Sequence, residues 1–402
     1  MGAACNAGAL SDVTILDLTR VLSGPFGTSW LGDMGAKIIK FENPKEGDST
    51  RYALPFSNGE SVYYATINRN KKPVTLNLKS EKGREMFLRM VEKADVVAEN
   101  FRPGVMERLH LGIDELKKVN PKIVLASLSG YGQTGPYAQR PGYDVVGQGM
   151  GAITSLTGFP EDPPTQAGPS LGDIAAGMNF ALAILAAVHH ARSTGEGQWV
   201  EVSLVDSVLA LCTQDYIDYG LTKKLPKRLG NNYSLWCPYG TYKAADGYYQ
   251  IGVGTEKHFQ ILCEQILRMP ELVSDPRYNG QAVRIENRAD IDAIMADWSA
   301  GLTVAEAVNA LNAASIPACP VYDFADVEAD ENFTVYREMV RHMQHPVIGD
   351  ISYLNCPIRF SESGLVEPQA AQSMGACNEE IYGSWLGMSR TDLDELHNEG
   401  VI

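Results

Sequence analysis

From Leu10 to about residue 130 the chain alternates short, continuously apolar runs with amphipathic ones. The stretches 13–18, 36–41, 74–78, 95–98 and 123–127 are short and rich in Val, Ile and Leu, the pattern of strands covered on both faces. Residues 80–93 repeat instead with helical spacing, which places Met86, Phe87, Met90 and Val91 on one side. A Gly/Pro turn at 23–27 leads into a short helix ending near Gly35. Strand–helix alternation at these intervals predicts an α/β fold with a parallel, Rossmann-like sheet.

Residues 128–172 are rich in Gly and Pro and read as loop. An apolar helix opening at Asp173 follows, then a strand over 198–203 and a helix over 204–219. The run 223–228 reads as a solvated basic linker. Over 225–330 the pattern changes to a strand at 247–253, helices near 256–268, 287–300 and 303–313, and an extended segment at 316–321. The expected organisation is a large domain from 1–224 and 331–402, with a smaller α/β domain at 225–330.

Composition narrows the function classes. The 402 residues are 45% hydrophobic and 21% charged, with a formal net charge of −15. That balance argues against general binding to nucleic acid or an anionic membrane. Seven cysteines, Cys5 among them, are scattered without a CxxC pair, which fits a reducing compartment and free thiols. His342 and His345 read as surface or loop histidines, and no metal site is expected. The first six residues lack a secretory pattern. The apolar stretch 174–188 is broken by Gly177 and Asn179 and is too short to span a bilayer. The expected location is cytoplasmic. Neither a dinucleotide fingerprint nor a phosphate-loop motif is present, so no bound cofactor is expected.

The candidate chemistry lies in loops after the strands, where open parallel sheets bind ligands. Three follow strands here, at 21–25, 99–104 and 129–136. Arg102 and Arg108 flank a helical start at Pro103, which suits either a phosphate or a solvated arginine pair. Asp173 stands between Gly172 and Ile174 at the head of the apolar helix. Aspartate there is either a structural N-cap or, with backbone donors nearby, a nucleophile for acyl transfer.

Several motifs then recur in a specific order. They are Leu16-Asp17-Leu18-Thr19-Arg20-Val21-Leu22-Ser23-Gly24-Pro25, Gly35-Ala36-Lys37-Ile38-Ile39-Lys40-Phe41-Glu42, Asn68-Arg69-Asn70-Lys71-Lys72, Glu99-Asn100-Phe101-Arg102-Pro103-Gly104, Ser129-Gly130-Tyr131-Gly132, Gly172-Asp173, and His345-Pro346-Val347-Ile348-Gly349. In this order and spacing the chain resembles the class III CoA-transferases, from Leu10 to about Phe360. The resemblance implies that Asp173 is the nucleophile that carries CoA as an aspartyl thioester. It implies that Val21, Leu22, Leu76, Lys79, Asn100, Phe101, Arg102, Arg108 and Arg140 contact CoA, and that Tyr143 borders the substrate. It further implies an acyl-CoA and a small carboxylic acid as substrates and an interlocked homodimer.

Formyl-CoA transferases of this family carry glutamine where Leu22 stands, and a glycine run where this chain has Leu235-Trp236-Cys237-Pro238-Tyr239-Gly240. The chain looks more like the branch acting on dicarboxylic acids, with Arg20 or Arg228 as a partner for a second carboxylate. The related α-methylacyl-CoA racemases use Gly-His-Asp. Here Gly142-Tyr143-Asp144 replaces the histidine by a poor base. A racemase-like enzyme and a non-catalytic acyl-CoA binder are the alternative readings.

Overall fold

The computed structural model describes residues 8–402, so Cys5 and the N-terminal stretch read above lie outside the described residues. The chain divides into two compact units. One takes the residues up to 154 together with 166–220 and 334–402; the other takes 155–165 and 221–333.

The larger unit runs β1 (Thr14–Asp17), α1 (Ser23–Asp33), β2 (Lys37–Glu42), α2 (Val62–Ile67), β3 (Lys71–Thr75), α3 (Glu81–Val91), β4 (Val96–Glu99), α4 (Val105–Arg108), α5 (Ile113–Val119), β5 (Val124–Ser129), α6 (Asp144–Met150), α7 (Leu171–Thr194), β6 (Trp199–Ser203), α8 (Leu204–Leu211) and α9 (Thr213–Thr222). The six strands are all parallel, in the order β3-β2-β1-β4-β5-β6. This is the doubly wound order expected of a Rossmann-like sheet. Alternate strand residues serve two separate cores. Leu16, Ile39, Val74 and Val97 pack with Phe87 of α3 on one face. Ile15, Ile38, Val96 and Val124 pack with Ala176, Phe180, Ile184 and Ala187 of α7 on the other. Burial on both faces is why these strands read as unbroken apolar runs.

Several details differ from the sequence reading, among them the helix α6 (Asp144–Met150) inside the stretch 128–172 read as loop. The third strand lies at 71–75 rather than 74–78. Pro73, which lacks an N–H, is tolerated because β3 is an edge strand. The helix carrying Asp173 starts earlier, at Leu171, and its 24 residues are long and apolar enough to cross a bilayer by length and composition. Asp173 is therefore not the N-cap: Ser170 holds that position and makes no side-chain cap bond. The helix expected over 204–219 breaks at Cys212, whose N–H turns back to the Leu209 carbonyl at 3.0 Å and whose Sγ meets the Gly151 carbonyl at 3.5 Å. His345 is buried, not a surface residue. Its Nδ1 accepts the Val347 and Ile348 N–H groups at 3.2 and 3.1 Å, which closes the hairpin of Val340–His345 and Gly349–Leu354.

Helices α1 and α7 cross at backbone contact. A Cβ on Gly177 would stand 2.6 Å from the Ser23 carbonyl oxygen, and one on Gly27 would stand 2.5 Å from the Gly177 carbonyl oxygen. Gly177→Ala is expected to cost about 1–3 kcal/mol through overpacking. Chemical denaturation measures the loss, and an unchanged midpoint would mean the two helices can separate freely.

The polypeptide's last stretch closes the core on the β3 side. Ile381, Leu393 and Leu396, from the helices Asn378–Leu386 and Arg390–Asn398, join the α3 face. The Tyr382 hydroxyl donates to the Thr75 carbonyl at 2.8 Å, and the Asn77 N–H to the Val401 carbonyl at 2.7 Å.

The smaller unit is a three-stranded antiparallel sheet of Tyr239–Lys243, Tyr248–Gly252 and Ala318–Pro320. Helices that include Arg288–Ser299 and Val304–Ala313 pack on it around Tyr249, Phe259, Met295 and Leu311. Residues 155–165, expected in the large domain, pack here instead. The Gly230 N–H donates to the Gly158 carbonyl at 3.0 Å, and the Arg228 guanidinium donates to the Asp162 carbonyl at 2.7 Å. Arg228 thus serves a loop contact.

Candidate active site

A cavity of about 260 Å³ opens outside the carboxyl ends of β1, β2, β3 and β4. Leu18, Leu76, Leu78, Phe101, Val105 and Leu109 give it apolar walls, and Arg20 and Lys79 stand on its rim. The Arg20 guanidinium lies 5.5 Å over the Phe101 ring. Of the residues expected to contact CoA, Leu76, Lys79 and Phe101 line this space directly. Asn100 shapes it by holding the Arg20 backbone: its Oδ1 accepts the Arg20 N–H at 2.9 Å and its Nδ2 donates to the Arg20 carbonyl at 2.7 Å. Val21 and Leu22 follow in the adjoining turn. Val21 has φ 71°, and the Leu22 carbonyl accepts the first backbone bond of α1, from Phe26, at 2.8 Å.

The remaining candidates stand elsewhere. Arg102 borders a void of about 10 Å³ with Glu99, Ser127, Gln133 and Trp199. Burial pushes the Glu99 carboxyl there up to about 7. Arg108 is exposed on α4 beside Gly104. Arg140 is exposed with its guanidinium 3.9 Å over the Tyr137 ring. Tyr143, 67% exposed, immediately precedes α6.

Asp173 sits half-buried in the first turn of α7. The helix end is capped from another element. Asp144 Oδ1, on α6, accepts the Gly172 N–H at 2.7 Å and the Asp173 N–H at 3.3 Å. Gln148 locks that carboxylate, donating from Nε2 to Asp144 Oδ2 at 2.8 Å while its Oε1 accepts the Ala167 N–H at 2.9 Å. Burial and the Asp144 charge push the Asp173 carboxyl up to about 6, against a hydrogen bond from the Ser23 hydroxyl that favours ionisation. Tyr63 of α2 is within electrostatic reach of both Asp173 and the cavity-lining Asp48. Burial and those two carboxylates raise its phenol to about 12, so it stays a hydrogen-bond donor at neutral pH. A partly desolvated carboxylate at a helix N-terminus is ionised at neutral pH, more basic than a free aspartate, and close to hydroxyl groups that can donate hydrogen bonds.

Beneath the turn from β1 to α1 lies a buried ionic cluster. Lys71 pairs with Asp17 at 3.1 Å, Lys40 with Asp48 at 2.9 Å, and Arg51 with Glu42 at 2.6 Å. Sequence reasoning missed Ser23, Tyr63, Asp144, Gln148 and this cluster. The signal for the cluster was present: Asp17 and Lys40 interrupt otherwise apolar strands, and charges at such positions are buried only when matched. Among the described residues no group of three or more His, Cys, Asp or Glu side chains is arranged to hold a metal ion.

Known proteins resemble this chain over most of its length. Residues 10–375 match the family model of CoA-transferase family III. The chain is 34% identical over 394 residues to the succinyl-CoA:glutarate CoA-transferase of Mus musculus, covering 98% of this chain and 90% of that protein. It is 39% identical over 320 residues to the acetyl-CoA:oxalate CoA-transferase of Acetobacter aceti, covering 79% and 82%. The crystal structure of a CAIB/BAIF family protein from Brucella suis superposes with a TM-score of 0.81 at 33% identity, covering 94% of this chain and 100% of that one. The chain belongs to CoA-transferase family III, and the protein is an enzyme of that class.

Proposed function

We propose that this enzyme moves CoA from an acyl-CoA donor to a carboxylic acid, with Asp173 as the covalent carrier and a dicarboxylic acid as the preferred substrate class. The observation that carries the reading is the Asp173 carboxylate, half-buried at the head of α7 with Ser23, Tyr63 and Asp144 around it.

The Asp173 carboxylate attacks the thioester carbonyl of the donor. The C–S bond breaks, leaving a mixed anhydride on Asp173 and the CoA thiolate. The thiolate then attacks the Asp173 carbonyl, releasing the donor acid as its carboxylate and leaving an aspartyl-CoA thioester. The acceptor carboxylate attacks that thioester and displaces the thiolate again. Attack of the thiolate on the acceptor's acyl carbon forms the product and regenerates Asp173. No net proton or electron is gained. The nucleotide end of CoA, held in the cavity beside β1–β4, keeps the thiolate from diffusing away between steps. Such retention makes each attack effectively intramolecular.

The cavity suits an anionic nucleotide. Its apolar walls accept a base, Arg20 and Lys79 stand ready for the phosphates, and of its carboxylates Asp48 and Glu42 are matched by Lys40 and Arg51 while Glu46 stays on the exposed rim. The double substitution Arg20→Ala with Lys79→Ala is expected to raise KM for the CoA ester about tenfold, as a loss of ~1.4 kcal/mol does, with kcat nearly unchanged. Steady-state kinetics over a range of ester concentrations checks this.

The dicarboxylate preference is supported by the glutarate and oxalate named for the two relatives, and by Leu22 in the first loop. The interlocked homodimer is supported by apolar side chains left exposed along α7–α9, among them Leu182, Leu211, Tyr216 and Ile217. The free thiols of the described cysteines suit a reducing cytoplasm. A panel of acyl-CoA donors and mono- and dicarboxylic acceptors, with CoA products read by mass spectrometry, tests the whole proposal. Failure to exchange CoA between any pair of acids sinks it, and a preference for monocarboxylates removes the substrate class.

A further inference from the structure

The turn from Thr19 to Pro25 touches both halves of the site. Thr19 and Arg20 line the cavity, and the Ser23 hydroxyl reaches Asp173. Its backbone is strained, because Val21 is a β-branched residue in the left-handed region, at φ 71°. Such a conformation persists only where the surroundings enforce it. Here two lysines, each with 1% of its side chain exposed, grip the two ends. Lys40 Nζ donates to the Thr19 carbonyl at 2.7 Å, and Lys71 Nζ donates to the Pro25 carbonyl at 2.9 Å.

The surrounding groups fix both ammonium ions. Lys40 also donates to Asp48 Oδ2 at 2.9 Å, and Asp48 Oδ1 accepts the Val21 N–H at 3.3 Å. Lys71 donates to Thr28 Oγ1 at 2.8 Å and to Asn68 Oδ1 at 3.1 Å. The Thr28 hydroxyl in turn donates to Asp17 Oδ2 at 2.8 Å. The transfer chemistry uses neither lysine. Desolvating two ammonium groups is costly even when they are paired, and apolar side chains of like volume pack such a core at least as well.

We propose that Lys40 and Lys71 are positioning residues, a pair of buried clamps that hold the strained 19–25 turn so that the Ser23 hydroxyl meets the Asp173 carboxylate and sets its direction of attack. The proposal rests on Asp173 being the nucleophile and goes beyond it by assigning the geometry of that nucleophile to two buried ammonium groups, of which Lys40 also borders the cavity.

Lys71→Met strands the Asp17 charge, so the test pairs it as Asp17→Asn with Lys71→Met. A second pair, Asp48→Asn with Lys40→Met, releases the Thr19 end; because both residues line the cavity, it is read by its pH profile and exchange. For the first pair, kcat is expected to fall by about 30-fold or more, in the range a small misplacement causes, with KM for the donor ester within about threefold. The acid limb of kcat/KM moves to higher pH, because loosening Ser23 removes the bond that favours the ionised Asp173. Amide hydrogen exchange at residues 20–23 quickens about tenfold or more while β1 and β2 keep their protection.

A merely destabilised protein would keep its pH profile and lose protection everywhere. Unchanged exchange in the turn, or quickened exchange with unchanged kcat, overturns the proposal. Hydroxylamine trapping of wild-type enzyme during turnover separates the two layers. If Asp173 is not modified there but the turn loosens in the variants, the nucleophile assignment falls and takes with it the clamp's role in aiming Asp173, leaving only its hold on the turn. If Asp173 is trapped equally fast in wild type and variants, the clamp falls alone.

Discussion

Asp173→Ala is expected to lower kcat for CoA transfer by about three orders of magnitude or more, equivalent to at least ~4 kcal/mol of transition-state stabilisation. The carboxylate is the only group to which the proposed intermediate is bonded, so no neighbour restores the pathway. Asp144 is the nearest carboxylate, but its two oxygens are taken by the Gly172 and Asp173 N–H groups and by Gln148. The substitution leaves those backbone donors in place. It also removes the repulsion that raises Asp173, so the thermal midpoint should hold or rise slightly. Binding of the CoA ester should persist, because Asp173 does not line the nucleotide cavity. The measurement is initial-rate transfer together with equilibrium binding of the ester. Near-wild-type transfer would remove Asp173 from the mechanism.

The pH profile carries the same assignment. Nucleophilic attack requires the ionised carboxylate, so kcat/KM should rise with pH through about 6. Asp144→Asn takes away one of the two causes of that elevation, and the limb should move to lower pH. A limb that stays fixed would mean another group sets it.

Arg69→Met is expected to cost about 3–5 kcal/mol of stability at pH 7, as removing one partner of a buried ion pair does. Arg69 binds Asp33, the last residue of α1, through two bonds, Nε to Oδ1 at 3.0 Å and Nη2 to Oδ2 at 2.5 Å, with both side chains 4% exposed. Burial already outweighs the guanidinium and holds the Asp33 carboxyl above its ordinary value. A raised carboxyl favours the folded protein more as pH falls through it. Without Arg69 that rise is larger, so the loss should shrink as pH falls and Asp33 takes up a proton. The double variant with Asp33→Asn should recover part of the loss. Denaturant midpoints at two pH values decide the matter; equal losses at both would mean that Asp33 is solvated once Arg69 is gone.

The sheet was readable from sequence because β1, β2, β4 and β5 are covered on both faces and therefore apolar throughout. The edge strand β3 was misplaced, since Pro73 and two lysines disguise its first half and Leu76 and Leu78 beyond it are apolar for a different reason, as cavity wall. Leu76, Lys79 and Phe101 came together at the cavity because all of them follow strand ends of one sheet. Arg102 turned to the small void beside Glu99 instead, and Arg108 was carried out to solvent on α4 after Gly104 turned the chain at φ 84°. The capping of α7 by Asp144 was invisible, for it joins residues 28 and 29 positions apart across a loop with no periodic pattern. The segment 155–165 was misassigned for the same reason: its partners near Gly230 are distant in sequence, and nothing local announces them.

The closure of the β3 face by Tyr382 has a consequence for biosynthesis. Thr75 and Tyr382 are 307 residues apart. At ribosomal speeds of about 5–20 residues per second, roughly 15–60 s pass between the synthesis of the one and the other. During that interval Phe87, Met90 and their neighbours lack the lid that finally shields them. The nascent chain is thus exposed to misassociation for most of its translation, and its yield in a host cell should depend on holdase chaperones more than its finished stability suggests.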